Sequence, residues 1–181
     1  MTTFIDVSSV LMGCGPFTNL VTRPTGAAVR SRIEATIAAA RGAVTIIDFS
    51  QVALLDFSCA DEVVAKLLLA SAERGEEVHF LFRGIHEAHL DAIDAVLERH
   101  RLALVVQLAD GAAQLHGTVT TLERRVWEAL LTLAGAGRSE EIGARLGLAV
   151  DECRNLLESL CSKRVVLREG VDRYLALGHA A

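Results

Sequence analysis

The chain has 181 residues, of which 51% are hydrophobic and 23% charged, with a formal net charge of −5. This length accommodates one domain or two small ones. The composition excludes a disordered chain, because disorder requires low hydrophobicity and high net charge. The longest apolar stretches, such as residues 63–72 with Lys66 inside, are too short to span a membrane. The negative net charge does not favour nucleic acid as a partner.

Cysteine usage and the N-terminus predict the cellular compartment. The four cysteines form no CxxC pair, which is typical of reduced thiols in a cytosolic chain of this size. The first residues lack the basic and apolar regions of a signal peptide. We therefore expect a cytoplasmic protein that is not bound to a membrane.

The first part of the chain alternates strand and helix patterns. Short runs rich in apolar and β-branched residues predict strands at 4–11, 44–49, 77–82 and 102–108. Apolar residues spaced three and four apart predict helices at 25–41, 58–74 and 88–100. This alternation indicates βαβ units and therefore a small α/β sheet of four or five strands with right-handed crossovers. No glycine-rich phosphate loop follows any predicted strand, so no motif supports a bound nucleotide. We predict no cofactor.

Residues 109–119 separate two parts of different character. They are rich in Gly, Ala and Thr without a clear period, and the formal charge is −5 before residue 117 and zero from there on. We predict a linker at 109–119, between a domain at 1–108 and a domain at 120–181 that behave as separate compact units.

The most distinctive polar residues follow the second predicted strand. Asp48 ends that strand, and Asp56 and Ser58 lie at the start of the next helix, ahead of Asp61 and Glu62. Either Asp56 or Ser58 is a suitable N-cap, and Ser58 has capping-box spacing to Asp61. Helix capping alone is therefore an alternative to any functional role for this junction.

This junction resembles the STAS domain of anti-anti-sigma factors and sulfate transporters. In that domain a strand ends in Asp, and a Ser or Thr at the start of the next helix is phosphorylated by a partner kinase. Asp56 and Ser58 match these positions, whereas Phe57 replaces the usual Ser or Thr and Cys59 replaces the usual Gly.

A closer resemblance is to the bacterial STAS-like family of unassigned function, over residues 1–108. The residues that fit its pattern are Arg23, Asp48, Phe49, Ser58, Asp61 and Glu62. The resemblance to the STAS domain of anti-anti-sigma factors implies a non-catalytic switch with Ser58 as the phosphoacceptor, and a protein partner such as a GHKL-type kinase or an anti-sigma-like factor. It implies an interaction surface formed by Asp56, Cys59, Asp61, Glu62 and Arg23. A phosphate would add about −1.5 to −2 charges to this acidic corner, which would eject an acidic or apolar partner.

The sequence signals for catalytic and metal-binding residues are weaker. His86 and His89 are spaced to ligate one metal, and His79 and Asp91 are close in sequence, but no third ligand is fixed by spacing. We therefore predict an exposed helix start without a metal site. Cys59 is predicted to be a small buried thiol. No nucleophile-and-base set has a recognisable spacing, so a hydrolase or metal enzyme is the lowest-ranked hypothesis and we predict no catalytic residue.

The second part of the chain predicts a winged helix-turn-helix. Helical spacing indicates helices at 121–134, 139–147 and 150–163, and an alternating pattern around Glu169-Gly170 indicates a hairpin at 165–177. Three helices followed by a hairpin are typical of this fold. The sequence from Glu140 to Ala176 also resembles bacterial winged-helix regulators.

Two functions remain open for this second part. The candidate DNA-binding residues are Arg154, Asn155, Lys163, Arg164, Arg168 and Arg173. The third helix also exposes Asp151, Glu152 and Glu158, and this part of the chain is neutral, whereas DNA-binding domains are usually basic. We therefore favour a module for protein interaction or dimerisation. The alternative is a DNA-binding transcriptional regulator whose N-terminal domain mediates dimerisation or ligand sensing.

Overall fold

The structure is a computed structural model that describes residues 2–15, 19–40, 42–75 and 77–179. The strands are β1 (Thr2–Asp6), β2 (Val44–Asp48), β3 (His79–Ile85), β4 (Ala103–Leu108), β5 (Ala113–Gly117), β6 (Val166–Arg168) and β7 (Tyr174–Ala176). The α-helices are α1 (Val7–Cys14), α2 (Arg23–Ala40), α3 (Phe57–Ala60), α4 (Leu67–Glu73), α5 (Glu87–His100), α6 (Thr121–Leu131), α7 (Ser139–Leu146) and α8 (Val150–Ser162). A π-helical segment, Asp61–Lys66, joins α3 to α4, and a 3₁₀ turn, Leu177–His179, follows β7.

The chain folds as a mixed α/β protein around a five-stranded sheet in the order β1-β2-β3-β4-β5. The first four strands are parallel, and β5 is antiparallel to β4. Since each parallel strand lies beside the one before it, right-handed crossovers place the connecting helices on one face of the sheet. The core on that face joins Ile47, Phe82 and Leu104 to α2, α5 and the π-helical segment.

The opposite face of the sheet is covered by the C-terminal part of the chain. The sheet contributes Val44, Ile46, Leu81, Ala103, Val105 and Leu115 to a second core. Trp127, Leu157 and Tyr174, from α6, α8 and β7, pack in the same core. The mostly apolar run over 44–49 is thus explained, since alternate residues of β2 face two different cores.

The predicted opening strand at 4–11 is wrong beyond Asp6, where the chain turns into α1. Asp6 is the N-cap of this helix, and its carboxylate accepts a hydrogen bond from the Ser8 N–H at 2.9 Å. Val7 and Leu11 are both buried, at the four-residue spacing of a helix face. Capping and helical burial therefore prevail over the β-branched composition of this segment.

The predicted linker at 109–119 is also wrong, because residues 113–117 form β5. This strand pairs with β4 from Ala103↔Gly117 to Gln107↔Ala113. The turn before it contains Asp110, whose carboxylate accepts from the Ala112 N–H at 2.9 Å, and Gly111 at φ +88°. The sheet therefore extends to Gly117, beyond the predicted boundary at residue 108.

The remaining predicted elements agree with the structure within a few residues. The three C-terminal helices are present as α6, α7 and α8, and the predicted hairpin is confirmed as the antiparallel pair β6–β7. Among the described residues, no helix combines the length and the apolar character needed to cross a membrane.

Candidate functional site

The candidate site lies where β2 ends and the chain crosses the carboxyl edge of the parallel sheet, which is the usual ligand-binding edge of open α/β sheets. The Asp48 carboxylate accepts from the Ser50 N–H at 2.8 Å, and the Phe49 N–H donates to the Arg83 carbonyl at 2.9 Å. Gly84 packs against this turn at φ +67°, and a Cβ there would lie 2.1 Å from Ser50 Oγ. Only glycine therefore fits this position without displacing the turn.

Asp56, rather than Ser58, is the N-cap of α3. Its Oδ1 accepts from the Cys59 N–H at 2.8 Å. Ser58 Oγ donates to the same carboxylate, at 2.9 Å from Oδ1 and 3.1 Å from Oδ2. Burial by itself raises the pKa of Asp56, but these hydrogen bonds outweigh it and the pKa is lowered. Ser58 is half-buried, with its hydroxyl held by a carboxylate.

Exposed apolar side chains occur on the two chain segments that meet just before α3. Residue 20 forms a bridge with residue 55, in which the Leu20 N–H donates to the Leu54 carbonyl at 2.9 Å. Beside this bridge, Val21, Leu54 and Phe57 are 46%, 54% and 40% exposed. We call these three residues the apolar rim. The Arg99 guanidinium lies 5.8 Å from the centre of the Phe57 ring, within range of a cation–π interaction.

Behind the apolar rim, Arg23 binds two buried carboxylates at once. Its Nη1 lies 2.8 Å from Asp61 Oδ2 and 2.8 Å from Glu62 Oε1. On a regular α-helix, the side chains of consecutive residues point about 100° apart. Asp61 and Glu62 are consecutive residues of the π-helical segment, and both side chains reach Arg23. Burial raises the pKa of Asp61 and of Glu62, but their hydrogen bonds from cationic side chains outweigh burial and both pKa values are lowered.

Further cationic or titratable groups complete this network. Glu62 contacts Lys66 Nζ at 2.5 Å and Arg30 Nη2 at 3.4 Å. Asp61 Oδ1 lies 2.8 Å from His100 Nε2. Arg30, Lys66 and His100 were not among the predicted site residues. The i,i+4 spacing of Glu62 and Lys66 is a signal that was available, whereas the other two partners are brought together only by the fold.

Three residues expected on the interaction surface are in fact buried. Cys59 is fully buried, and Asp61 and Glu62 are 5% and 3% exposed. The expectation was wrong for these residues because they face α2 and α5 instead of solvent. Arg23, Asp56 and Ser58 do reach the surface.

The Cys59 thiol is the buried cysteine that the sequence predicted. Its Sγ donates to the Thr22 carbonyl at 3.0 Å. Burial, followed by the charge of Asp56, raises the pKa of this thiol to about 11. Cys59 is therefore neutral at physiological pH and packs as a small apolar group.

The two histidines of the predicted helix start have different environments. His86 is exposed, as predicted, but His89 is fully buried beside Phe49. His89 Nε2 lies 3.4 Å from the Ala53 carbonyl, and burial lowers the pKa of the ring. Within the described ranges, no group of three or more His, Cys, Asp or Glu side chains is arranged to hold a metal ion.

Most candidate DNA-binding cations form ion pairs within the protein. Lys163 Nζ lies 2.6 Å from Glu123, Arg168 Nη1 lies 3.2 Å from Glu158, and Arg154 Nη1 lies 2.7 Å from Asp151. These contacts neutralise the positive charge that a phosphate backbone requires. Arg164 Nη1 donates to Ser71 Oγ on α4 at 3.1 Å, and it pairs with no carboxylate of the residues that the structure describes. Asn155 and Arg173 are exposed.

No protein-family model and no curated protein matches this chain. The geometry around Ser58 therefore provides the main structural basis for a functional proposal.

Proposed function

We propose that this chain is a non-catalytic signalling protein that binds a partner protein through the apolar rim around Ser58. The observation that carries the proposal is the exposure of Val21, Leu54 and Phe57 beside a serine at the start of a helix. Contiguous exposed apolar side chains are typical of protein-interaction surfaces. In this proposal the α6–α8 and β6–β7 part is a winged-helix module that relays the signal.

The charged network supports the resemblance to STAS-like proteins. Arg23, Asp61 and Glu62 belong to the pattern of that family, and they are in direct contact here although Arg23 is far from the acids in sequence. A pattern whose members form one network of ion pairs is easier to explain as a shared fold than as a coincidence of short motifs.

Phosphorylation of Ser58 is the proposed switch. The Ser58 hydroxyl donates to the Asp56 carboxylate, so a phosphate would replace a donor with about −1.5 to −2 charges beside an existing negative charge. The resulting repulsion would displace the Asp56 cap and place charge next to Phe57. An apolar partner would then lose affinity, and the proposed partner class is a GHKL-type kinase or an anti-sigma-like factor.

DNA binding is a second candidate with less support. Asn155 and Arg173 are exposed on the C-terminal part, but the neighbouring cations of that part pair with its own carboxylates. A specific DNA complex normally requires several cations that are free to contact phosphate.

Photo-crosslinking tests the proposal directly. We expect p-benzoylphenylalanine in place of Phe57 to form one discrete protein adduct in the native cytosol. The same probe in place of Met12, which is 64% exposed on α1, is the matched control and should not form this adduct. Adding Ser58→Asp should abolish the adduct, and Ser58→Ala should retain it.

Two results would contradict the proposal. An adduct that forms equally from position 12, or that survives Ser58→Asp, would show that the apolar rim is not the switch surface. A sequence-specific mobility shift with genomic DNA that Arg173→Ala abolishes would favour the DNA-binding regulator instead.

A further inference from the structure

A small cavity of about 180 Å³ lies where the sheet and its helices meet the loop after α8. Most of its wall is apolar and consists of Leu68, Ala72, Phe80, Leu102, Leu104 and Val165. Three cations, Arg101, Lys163 and Arg164, also line it. An apolar cavity with a few convergent polar groups is the usual form of a small-molecule site.

The backbone conformations of two of these cations are unusual. Arg101 has φ +55° and Arg164 has φ +61°, and among the described residues they are the only non-glycine positions with a positive φ. Arg101 ends α5, and Arg164 lies two residues after α8. Glycine is the favoured residue at such positions, because a side chain in the left-handed region is strained. Both strained positions are arginines that line the same cavity.

The three cations differ in whether a carboxylate neutralises their charge. Lys163 is neutralised by Glu123, with Nζ 2.6 Å from Oε1 and 2.7 Å from Oε2. Arg164 donates to the neutral Ser71 hydroxyl. In the part of the chain that the structure describes, neither Arg101 nor Arg164 forms an ion pair with a carboxylate. Two guanidinium groups therefore remain available to an anion.

We propose that this cavity binds a small molecule with an apolar body and one carboxylate group. The volume is below the range of about 300–1,000 Å³ that is usual for drug-sized ligands, so the ligand is about the size of benzoate. Its apolar body fills the space beside Phe80 and Val165, and its carboxylate pairs with Arg101 and Arg164, since guanidinium groups bind carboxylates strongly. Because the cavity is shared by the sheet and the C-terminal part, the bound ligand stabilises their contact.

Isothermal titration calorimetry on the full chain, with benzoate and benzyl alcohol as probes, tests the proposal. We expect saturable binding of benzoate at millimolar concentration and at least tenfold weaker binding of benzyl alcohol, which has the same ring without the charge. Arg101→Gly and Arg164→Gly should each weaken benzoate binding at least tenfold. Arg101→Gly should not lower the melting temperature, because glycine suits the left-handed backbone.

Two further variants test whether benzoate binds in this cavity or elsewhere on the surface. Ala72→Leu places a larger side chain at the solvent-exposed edge of the cavity and should weaken benzoate binding. Arg145→Ala removes an exposed arginine on α7, whose partner is Glu141, and should leave binding unchanged. The proposal is overturned if benzoate produces no saturable heat, if benzyl alcohol binds equally well, or if Ala72→Leu binds benzoate like the parent chain.

Discussion

Lys163 holds the Glu123 carboxylate with contacts of 2.6 and 2.7 Å, which join the end of α8 to the first turn of α6. Glu123 also forms a capping box, in which Oε2 accepts from the Thr120 N–H at 2.7 Å. Burial by itself raises the pKa of Glu123, but hydrogen bonds from Lys163, Ser159 and the Thr120 backbone outweigh it and lower the pKa to about 2.

We expect Glu123→Gln to lower the free energy of unfolding at neutral pH by about 3 kcal/mol at most. Glutamine is suited to the same capping-box position, so the change mainly removes the charge. A carboxyl group whose pKa is lowered on folding contributes its full stability above the unfolded pKa, here 4.5, and loses it as the pH falls towards 2.

Urea denaturation between these two pH values measures this effect. The parent chain should lose stability across the window, and Glu123→Gln should show a flatter profile. Glu128→Gln, an exposed glutamate on the same helix, is the control and should follow the parent. Parallel profiles for the parent and Glu123→Gln would contradict the assignment.

A second prediction concerns Ser58 and the Asp56 cap. Ser58→Ala removes one hydrogen bond to Asp56 and should destabilise the fold by about 1 kcal/mol. Ser58→Asp should destabilise it more, because it places a second carboxylate beside Asp56. Thermal unfolding measures both, with Ser31→Asp on the exposed face of α2 as the charge control. If Ser58→Asp is as stable as the parent chain, the hydroxyl contact with Asp56 is not structurally important.

A third prediction concerns the close packing of α2 against α3 and the π-helical segment. A Cβ at Gly26 would lie 3.1 Å from Cys59 Cα and 3.1 Å from Glu62 Cβ. Gly26→Val should therefore push the helices apart and cost about 1–3 kcal/mol. Ala38→Val at an exposed position of the same helix should cost less than about 0.7 kcal/mol. Equal free energies of unfolding for the two variants would show that this contact is easily relaxed.

A fourth prediction tests the two-domain expectation. A fragment ending at Gly117 would uncover Val44, Ile46, Leu81 and Val105, which are buried against the C-terminal part. We expect this fragment to bind a hydrophobic dye and to associate in gel filtration, unlike the full chain. A monomeric fragment that unfolds cooperatively would instead support separable domains.

Much of the sheet was predictable because its signals are local. The apolar run at 44–49 indicated a strand covered on both faces, and β2 does contact both cores. What covers the second face was not predictable, since no local pattern connects Ile46 to Trp127. The missed strand β5 did have a signal, because Asp110-Gly111 is a typical hairpin turn, but only Leu115 of the strand is fully buried.

The residues of the candidate site were easier to predict from the sequence than their arrangement in space. Asp56, Ser58 and the Asp61-Glu62 pair were identified from spacing, and one of the two possible N-caps, Asp56, is the cap in the structure. Burial of Asp61 and Glu62 was not expected, because acidic side chains are rarely buried unless they are paired. Their partners Arg30 and His100 lie in other helices. The charge pairing that allows Asp61 and Glu62 to be buried therefore depends on tertiary structure.

The sequential strand order has a consequence for synthesis of the protein. Each of β2, β3, β4 and β5 pairs with the strand made just before it, so the sheet can assemble in the order in which it leaves the ribosome. Its second face is not fully covered until the 3₁₀ turn Leu177–His179, which contacts β3 and β4, has been made. Synthesis from the end of β5 to this turn takes about 3–12 s at typical translation rates of about 5–20 residues per second. During that interval we expect chaperones that bind apolar surfaces to have access to the nascent chain, and synthesis of the 3₁₀ turn ends that access.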